Sequence, residues 1–277
     1  MKTIRKFFPG SEWLYLKIYT GVKTSDIILE EIIQPLIENF QCEKYIQKWF
    51  FIRYNDPKSH VRIRFELSSI KNYNAVTDQI NKALQGYLES GEISNIVFET
   101  YNREIERYGE NTIEDTETLF HKNSEFTLQC LNYNDEEKLT VSLFYIDEVL
   151  NRLNLSVQEK MEWMRDYNAS FKNEFNADKK LNSQLDKKFR AFKPIFLDFI
   201  GSQEFSDERN MISLHIEECS IVLQNILKLS KNQSLQNFIQ SVFHMNINRL
   251  FISDQRLFEM IIYDYLYRYY KMKAFLK

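Results

Sequence analysis

The stretch His60-Val61-Arg62-Ile63-Arg64-Phe65-Glu66 alternates strictly between polar and apolar side chains. In an extended chain successive side chains point to opposite faces. Val61, Ile63 and Phe65 therefore share one face, and His60, Arg62, Arg64 and Glu66 share the other. The two guanidinium groups stand about 7 Å apart along such a strand. That arrangement suits a ligand with two carboxylates, because a planar guanidinium fork takes a carboxylate through two parallel hydrogen bonds. A half-exposed sheet with one solvated face has the same alternation, so the pattern alone leaves both readings open.

Two further segments carry chemistry-bearing residues. Tyr101-Asn102-Arg103-Glu104-Ile105-Glu106-Arg107-Tyr108-Gly109 places two Arg and two Glu within five residues. Glu104 and Arg107, three apart, share a side if this is a helical turn; a surface ion-pair network has the same composition and contributes little. In Phe243-His244-Met245-Asn246-Ile247-Asn248-Arg249-Leu250, His244 and Asn248 fall on one helix stripe. An imidazole beside Asn and Arg is a sensible proton-transfer group, although a hydrogen-bonded core histidine fits the same context. His215 and Cys219 are spaced i,i+4 but lack a second ligand pair, which makes a metal site improbable. No phosphate-binding glycine loop and no nucleophile elbow is present.

The elements that must hold these residues follow from the hydrophobic pattern. Residues 13–19 form a β-rich run, and Asp26 is placed to cap an amphipathic helix to about Asn39, with Ile27, Ile28, Ile32, Ile33, Leu36 and Ile37 on its apolar face. Two β-like runs, 48–54 and 60–67, flank a polar Asn-Asp-Pro loop and read as a hairpin. A helix over 70–89 and a strand over 93–101 complete a βαββαβ order, which implies a ferredoxin-like sheet with both helices on one face. From Ile113 onward the pattern is helical, with breaks at 132–135, 154–156, 201–202 and 252–254. The expected class is α+β, with a ferredoxin-like half over 1–109 and a mostly helical half over 110–277 that covers the sheet.

Composition agrees with a globular chain: 277 residues, 44% hydrophobic and 27% charged, with only 6 Gly and 4 Pro. The formal net charge of −3 excludes a global field for nucleic acid, so any anion site is local. Cys42, Cys130 and Cys219 are widely separated and give neither a metal spacing nor a disulfide framework. With no signal peptide and no membrane-length apolar run, a cytoplasmic protein is expected.

Taken together, three segments resemble the C-terminal elimination domain of class I lantibiotic dehydratases, also known as the thiopeptide-type bacteriocin biosynthesis domain. They are Trp49-Phe50-Phe51-Ile52-Arg53-Tyr54-x-Asp56-Pro57 with His60-x-Arg62-x-Arg64-Phe65, the Tyr101–Gly109 segment, and His244-Met245-x-x-Asn248-Arg249. The resemblance runs from about Trp13 to the last helix. It implies a lyase that acts on Ser or Thr already esterified by glutamate, removing the α-proton and expelling glutamate to leave dehydroalanine or dehydrobutyrine. The matching positions are Arg64, Arg107, His244 and Glu104 for catalysis, and Arg62, Arg64, His60 and Arg249 for substrate binding. No cofactor and no metal are expected.

The family's large members carry a glutamylation domain that does not occur within these residues. A separate glutamylation protein (a split dehydratase) is therefore the expected partner beside the glutamylated precursor peptide. Direct tRNA binding and membrane insertion are not expected, and the larger relatives imply a homodimer. Two other readings compete: a pyridine synthase that joins dehydroalanines by formal cycloaddition, against which the Arg62, Arg64, Arg107 and His244 set argues, and a non-catalytic peptide-binding module of a maturation complex.

Overall fold

The described residues form six strands, β1 (Lys6–Phe7), β2 (Trp13–Thr20), β3 (Ile46–Tyr54), β4 (His60–Leu67), β5 (Ile93–Phe98) and β6 (Tyr101–Asn102), and β-branched and aromatic residues build the four longer ones. In the computed structural model, which describes residues 3–229 and 232–275, four of them form an antiparallel sheet in the order β3-β4-β2-β5. This is the ferredoxin-like order. β1 and β6 form a separate two-stranded ribbon, which the period-two signal misses because each strand has only two residues.

The first helical segment runs as α1 (Thr24–Ile28), a π turn (Leu29–Ile33) and α2 (Gln34–Cys42). With α3 (Tyr73–Glu89) it packs on one sheet face, where Leu14, Leu16, Ile18, Trp49, Phe51, Val61, Ile63 and Phe65 meet Ile28, Ile33, Phe40, Val76, Ile80 and Leu84 in one buried core. Two sequence expectations fail here. Asp26 is not the cap: α1 starts at Thr24 without a side-chain cap, and the Asp26 carboxylate instead pairs with Arg53 Nη2 at 2.6 Å. Ile27 is exposed rather than on the apolar face. A buried guanidinium needs a counter-charge more than this helix end needs a cap.

After α4 (Ile105–Tyr108), helix α5 (Ile113–Gln129) runs against β3. By contacts the chain separates into two compact units, Met1–Asn132 with Asn248–Ser253, and Tyr133–Ile247 with Asp254–Lys277. α5 thus belongs with the sheet. The second unit holds α6 (Asp135–Arg152), α7 (Val157–Glu174), α8 (Lys179–Gly201), α9 (Ser206–Glu218), α10 (Ser220–Leu229), α11 (Asn232–Leu250) up to Ile247, and α12 (Gln255–Phe275). Asn134 and Ser156 close capping boxes with Glu137 and Glu159, which explains two of the breaks visible in the sequence. Within this unit α12 packs mainly on α7, and buried charges are paired: Lys160 with Asp147 at 2.6 Å, and Lys172 and Arg268 with Asp264 at 2.7 and 2.6 Å. Among the described residues no helix is long and apolar enough to cross a membrane.

Candidate active site

β4 has both faces the alternation predicts. Val61, Ile63 and Phe65 enter the core, while the opposite face carries His60, Arg62, Arg64 and Glu66. Register places Arg64 between Tyr15 of β2 and Phe50 of β3, and Arg62 between Lys17 and Ile52.

The two arginines sit in different surroundings. The Arg64 guanidinium lies 4.3 Å from the Tyr15 ring centroid, 5.0 Å from Tyr101 and 5.2 Å from Phe50. Arg64 is only 8% exposed, its Nε and Nη1 have no hydrogen-bond partner, and it makes no ion pair among the described residues. Ring faces compensate a cation only partly, so this is a desolvated positive charge that a ligand carboxylate would relieve. Arg62 is less buried. Its guanidinium stacks 3.5 Å over Tyr54, and its Nε donates to His60 Nε2 at 3.0 Å. His60 Nδ1 lies 2.8 Å from the Lys58 carbonyl, and its ring stacks on Tyr19. Accepting at Nε2 and donating at Nδ1 defines the neutral tautomer. Burial lowers the His60 pKa; the Lys58 carbonyl opposes this, and nearby Arg62 and Lys17 reinforce it.

Glu104 and Arg107 approach to 3.5 Å at the start and within the single turn of α4, and both are exposed. Arg107 lies over Tyr108, which packs edge-on to Phe120; Phe120 packs on Phe50, beside Arg64. Burial pushes the Tyr108 hydroxyl up to about 12, although Arg107, Arg249 and Arg64 all pull it down. Three cations therefore surround one aromatic cluster in the first unit.

Arg249 also reaches this cluster, 4.7 Å from the Phe120 ring. It is fully buried and donates from Nε to the Phe51 carbonyl at 2.7 Å and from Nη1 to Asn123 at 3.0 Å. Beside it, Asn248 brackets Arg53 by accepting from its N–H and donating to its carbonyl, both at 2.9 Å. These two residues thus bind the outer backbone edge of β3.

His244 stands in the second unit, one turn before that pair in sequence. Its Nδ1 lies 2.8 Å from Glu259 Oε2 on α12. Glu259 is 1% exposed and is held by Tyr263 at 3.0 Å and Arg256 at 3.1 Å. A carboxylate on Nδ1 fixes the ring and leaves Nε2 for proton transfer.

Sequence reasoning missed Glu259, Tyr263 and the buried Arg103–Glu117 pair. Arg103 donates from Nε and Nη2 to the two Glu117 oxygens, both at 2.7 Å, and Tyr101 donates to the same carboxylate at 2.7 Å. That ties the Tyr101 ring, one wall around Arg64, to α5. The available signal was an acid on an apolar helix stripe: Glu117 lies between Ile113 and Phe120, whereas Glu259 has apolar stripe neighbours only on its C-terminal side, Ile262 and Tyr263. Among the described residues no group of three or more His, Cys, Asp or Glu is arranged to hold a metal ion.

The structure is similar to that of the tRNA-dependent lantibiotic dehydratase MibB from a Microbispora species, with a TM-score of 0.73 at 17% identity, over 98% of this chain and 29% of that one. It is also similar to TsrL, with a TM-score of 0.67 at 12% identity over 96% of both chains. The pyridine synthase TbtD from thiomuracin biosynthesis matches with a TM-score of 0.62 at 11% identity, over 95% of this chain and all of that one. At these identities the likeness shows the fold. In sequence, the subtilin biosynthesis protein SpaB of Bacillus subtilis is 25% identical over 96% of this chain, and the nisin biosynthesis protein NisB of Lactococcus lactis subsp. lactis is 25% identical over 99%. The chain spans 27% of the length of each. The family model for the C-terminal part of the lantibiotic biosynthesis dehydratases matches residues 13–270, and the chain belongs to that family.

Proposed function

We propose that this chain eliminates glutamate from O-glutamylated Ser or Thr of a ribosomal precursor peptide, giving dehydroalanine or dehydrobutyrine. The observation that carries the reading is Arg64, a buried guanidinium among three rings with no counter-ion among the described residues. Two other buried arginines, Arg53 and Arg103, do have a carboxylate partner. An unpaired one is costly unless a ligand anion completes it.

In the reaction the Cα–H proton is removed, the Cα–Cβ double bond forms, and the Cβ–O bond breaks, its electron pair leaving on the glutamate carboxylate. Arg64 and Arg62 take the carboxylates of the glutamyl group and absorb the charge that develops as it leaves. Arg107, held by Glu104, stabilises the enolate-like transition state. His244 moves the proton, as base at Cα or as acid to the leaving carboxylate, and Glu259 orients it. The carboxylate is already a good leaving group, so positioning and charge stabilisation suffice. His60 acts through Arg62, and Arg249 acts through β3 rather than by touching substrate.

The test is mass spectrometry of a glutamylated Ser peptide incubated with the protein and with Arg64→Ala. Loss of the glutamate adduct to dehydroalanine with wild type, and not with the variant, is expected. An unchanged cognate glutamyl peptide sinks the reading. The second reading, a pyridine synthase that joins dehydroalanines by cycloaddition, has one observation beside it: the match to the pyridine synthase TbtD extends over the whole of that chain. Dehydroalanine-rich peptide tested in the same assay separates the two.

A further inference from the structure

The two edges of the four-stranded sheet are treated differently. Backbone pairing alternates along an antiparallel strand, so every second residue of an edge strand points its N–H and C=O outward. On β3 the outward residues are Trp49, Phe51 and Arg53. His121 Nδ1 lies 3.1 Å from the Trp49 carbonyl, Ser124 Oγ accepts from Phe51 N–H at 3.2 Å, and Arg249 Nε reaches the Phe51 carbonyl. Asn248 binds both groups of Arg53. The β3 edge is closed by side chains.

On β5 the Glu99 N–H donates to the Tyr15 carbonyl at 3.0 Å, which sets the parity. With the register Lys17↔Val97 and Tyr19↔Asn95, the residues Val97 and Asn95 bond β2, and Ile96 and Phe98 point outward. Among the described residues β5 pairs only with β2, and nothing accepts from or donates to the outward groups of Ile96 and Phe98. The strand, Ile-Ser-Asn-Ile-Val-Phe, carries no charge and no proline, the usual protection of a free edge.

We infer that the β5 edge is a docking strip for an extended segment of the peptide substrate, which pairs with the backbone of Ile96 and Phe98 as an added strand. Unpaired main-chain donors and acceptors at strand spacing select an extended polypeptide over other ligands, and the proposed reaction supplies one; the inference rests on that reading for the identity of the peptide. An added strand next to β5 lies three strand spacings from β4, roughly 14 Å. It therefore anchors a part of the peptide remote from the residue whose glutamyl group meets Arg64. Its side chains on the Arg62 face line up with Val97 and Asn95, which are uncharged. Apolar and small polar residues fit there.

Amide exchange of the full chain, with and without a synthetic Val- and Thr-rich peptide carrying one O-glutamylserine, reads the pairing directly. In the free protein, Ile96 and Phe98 amides should exchange at least about tenfold faster than those of Asn95 and Val97. Saturating peptide should slow them about tenfold or more, and the same peptide N-methylated at alternate residues should not. Ile96→Pro removes an outward N–H while sparing the β2 bonds; it should raise KM about tenfold with kcat within about twofold. Unchanged Ile96 and Phe98 exchange while glutamate is eliminated from that peptide overturns the docking site and leaves the lyase reading standing. Protection without elimination supports the site and counts against the lyase. Protection of both amides already in the free protein, from a second copy on the edge, also overturns it.

Discussion

Glu259 Oε2 lies 2.8 Å from His244 Nδ1, and that oxygen also takes Arg256, while the other oxygen takes the Tyr263 hydroxyl. The carboxylate is fully buried and the imidazole only partly so. A buried acceptor with two other donors cannot rotate freely, so the ring it holds presents Nε2 in one direction. The sequence motif around His244 contains no acid; the orienting group comes from the following helix.

Glu259→Gln should therefore slow elimination by roughly 10- to 100-fold, less than the about 10²- to 10⁴-fold that general acid–base catalysis contributes as a whole, while KM for the glutamylated peptide stays within about twofold. The carboxamide keeps the shape but presents a donor or an acceptor to Nδ1 without control of the tautomer. Steady-state rates by mass spectrometry, with the thermal midpoint as a control on folding, decide this. A variant of wild-type rate would show that Glu259 serves only the core.

Arg64 and Arg103 are both buried, and only Arg103 has its carboxylate. Replacing each by Met should separate ligand binding from stability. Arg103→Met leaves Glu117 buried and unpaired and should cost about 3–5 kcal/mol. Arg64→Met strands no partner and should leave unfolding within about 1 kcal/mol of wild type or above it, while abolishing elimination. Urea midpoints of the two variants provide the measurement; a large loss at Arg64 would assign it to the fold.

Much of this fold is legible because period-two and period-3.6 patterns are local. The alternation His60 to Glu66 yields the two faces of β4 without any knowledge of its neighbours, and the Asn-Asp-Pro loop yields the β3–β4 hairpin. What escapes is set by partners far along the chain. Asp26 has the residue type and position of a helix cap, yet Arg53 claims it. Arg103 reads as one charge of a surface turn, and only Glu117 inside an apolar stripe marks it as buried. Asn248-Arg249 reads as part of a chemical motif; its hydrogen bonds to Arg53 and Phe51 on β3 become visible only with the register in hand.

Asn248→Ala tests that edge. It removes an acceptor for Arg53 N–H and a donor to its carbonyl, in a part-buried setting, and should cost about 1–3 kcal/mol. The loss should appear as faster exchange of the Arg53 amide, with the β2–β4 amides unaffected below the global transition. Equal exchange in variant and wild type would mean that the β3 edge needs no cap at this position.

His60 makes the pH dependence explicit. Its native pKa is lowered by burial and by Arg62 and Lys17, with the Lys58 carbonyl and Glu99 acting the other way. A base with a lowered native pKa binds fewer protons folded than unfolded, so stability rises with pH across that interval. Its contribution is complete above the unfolded value of about 6.5 and is lost as pH falls from there toward the native value. Protonation also removes the Nε2 acceptor and sets a cation against Arg62 Nε, releasing the guanidinium from its place over Tyr54. Two readouts should move in succession: the denaturant midpoint drops as pH falls below about 6.5, and KM for the glutamylated peptide rises only at lower pH, as the native imidazole itself takes up its proton. In His60→Gln, which retains an acceptor for Arg62 and has no titrating ring, both acid limbs should flatten. If the variant keeps the wild-type acid limb in KM, Arg62 is not under His60 control and the limb belongs to another group.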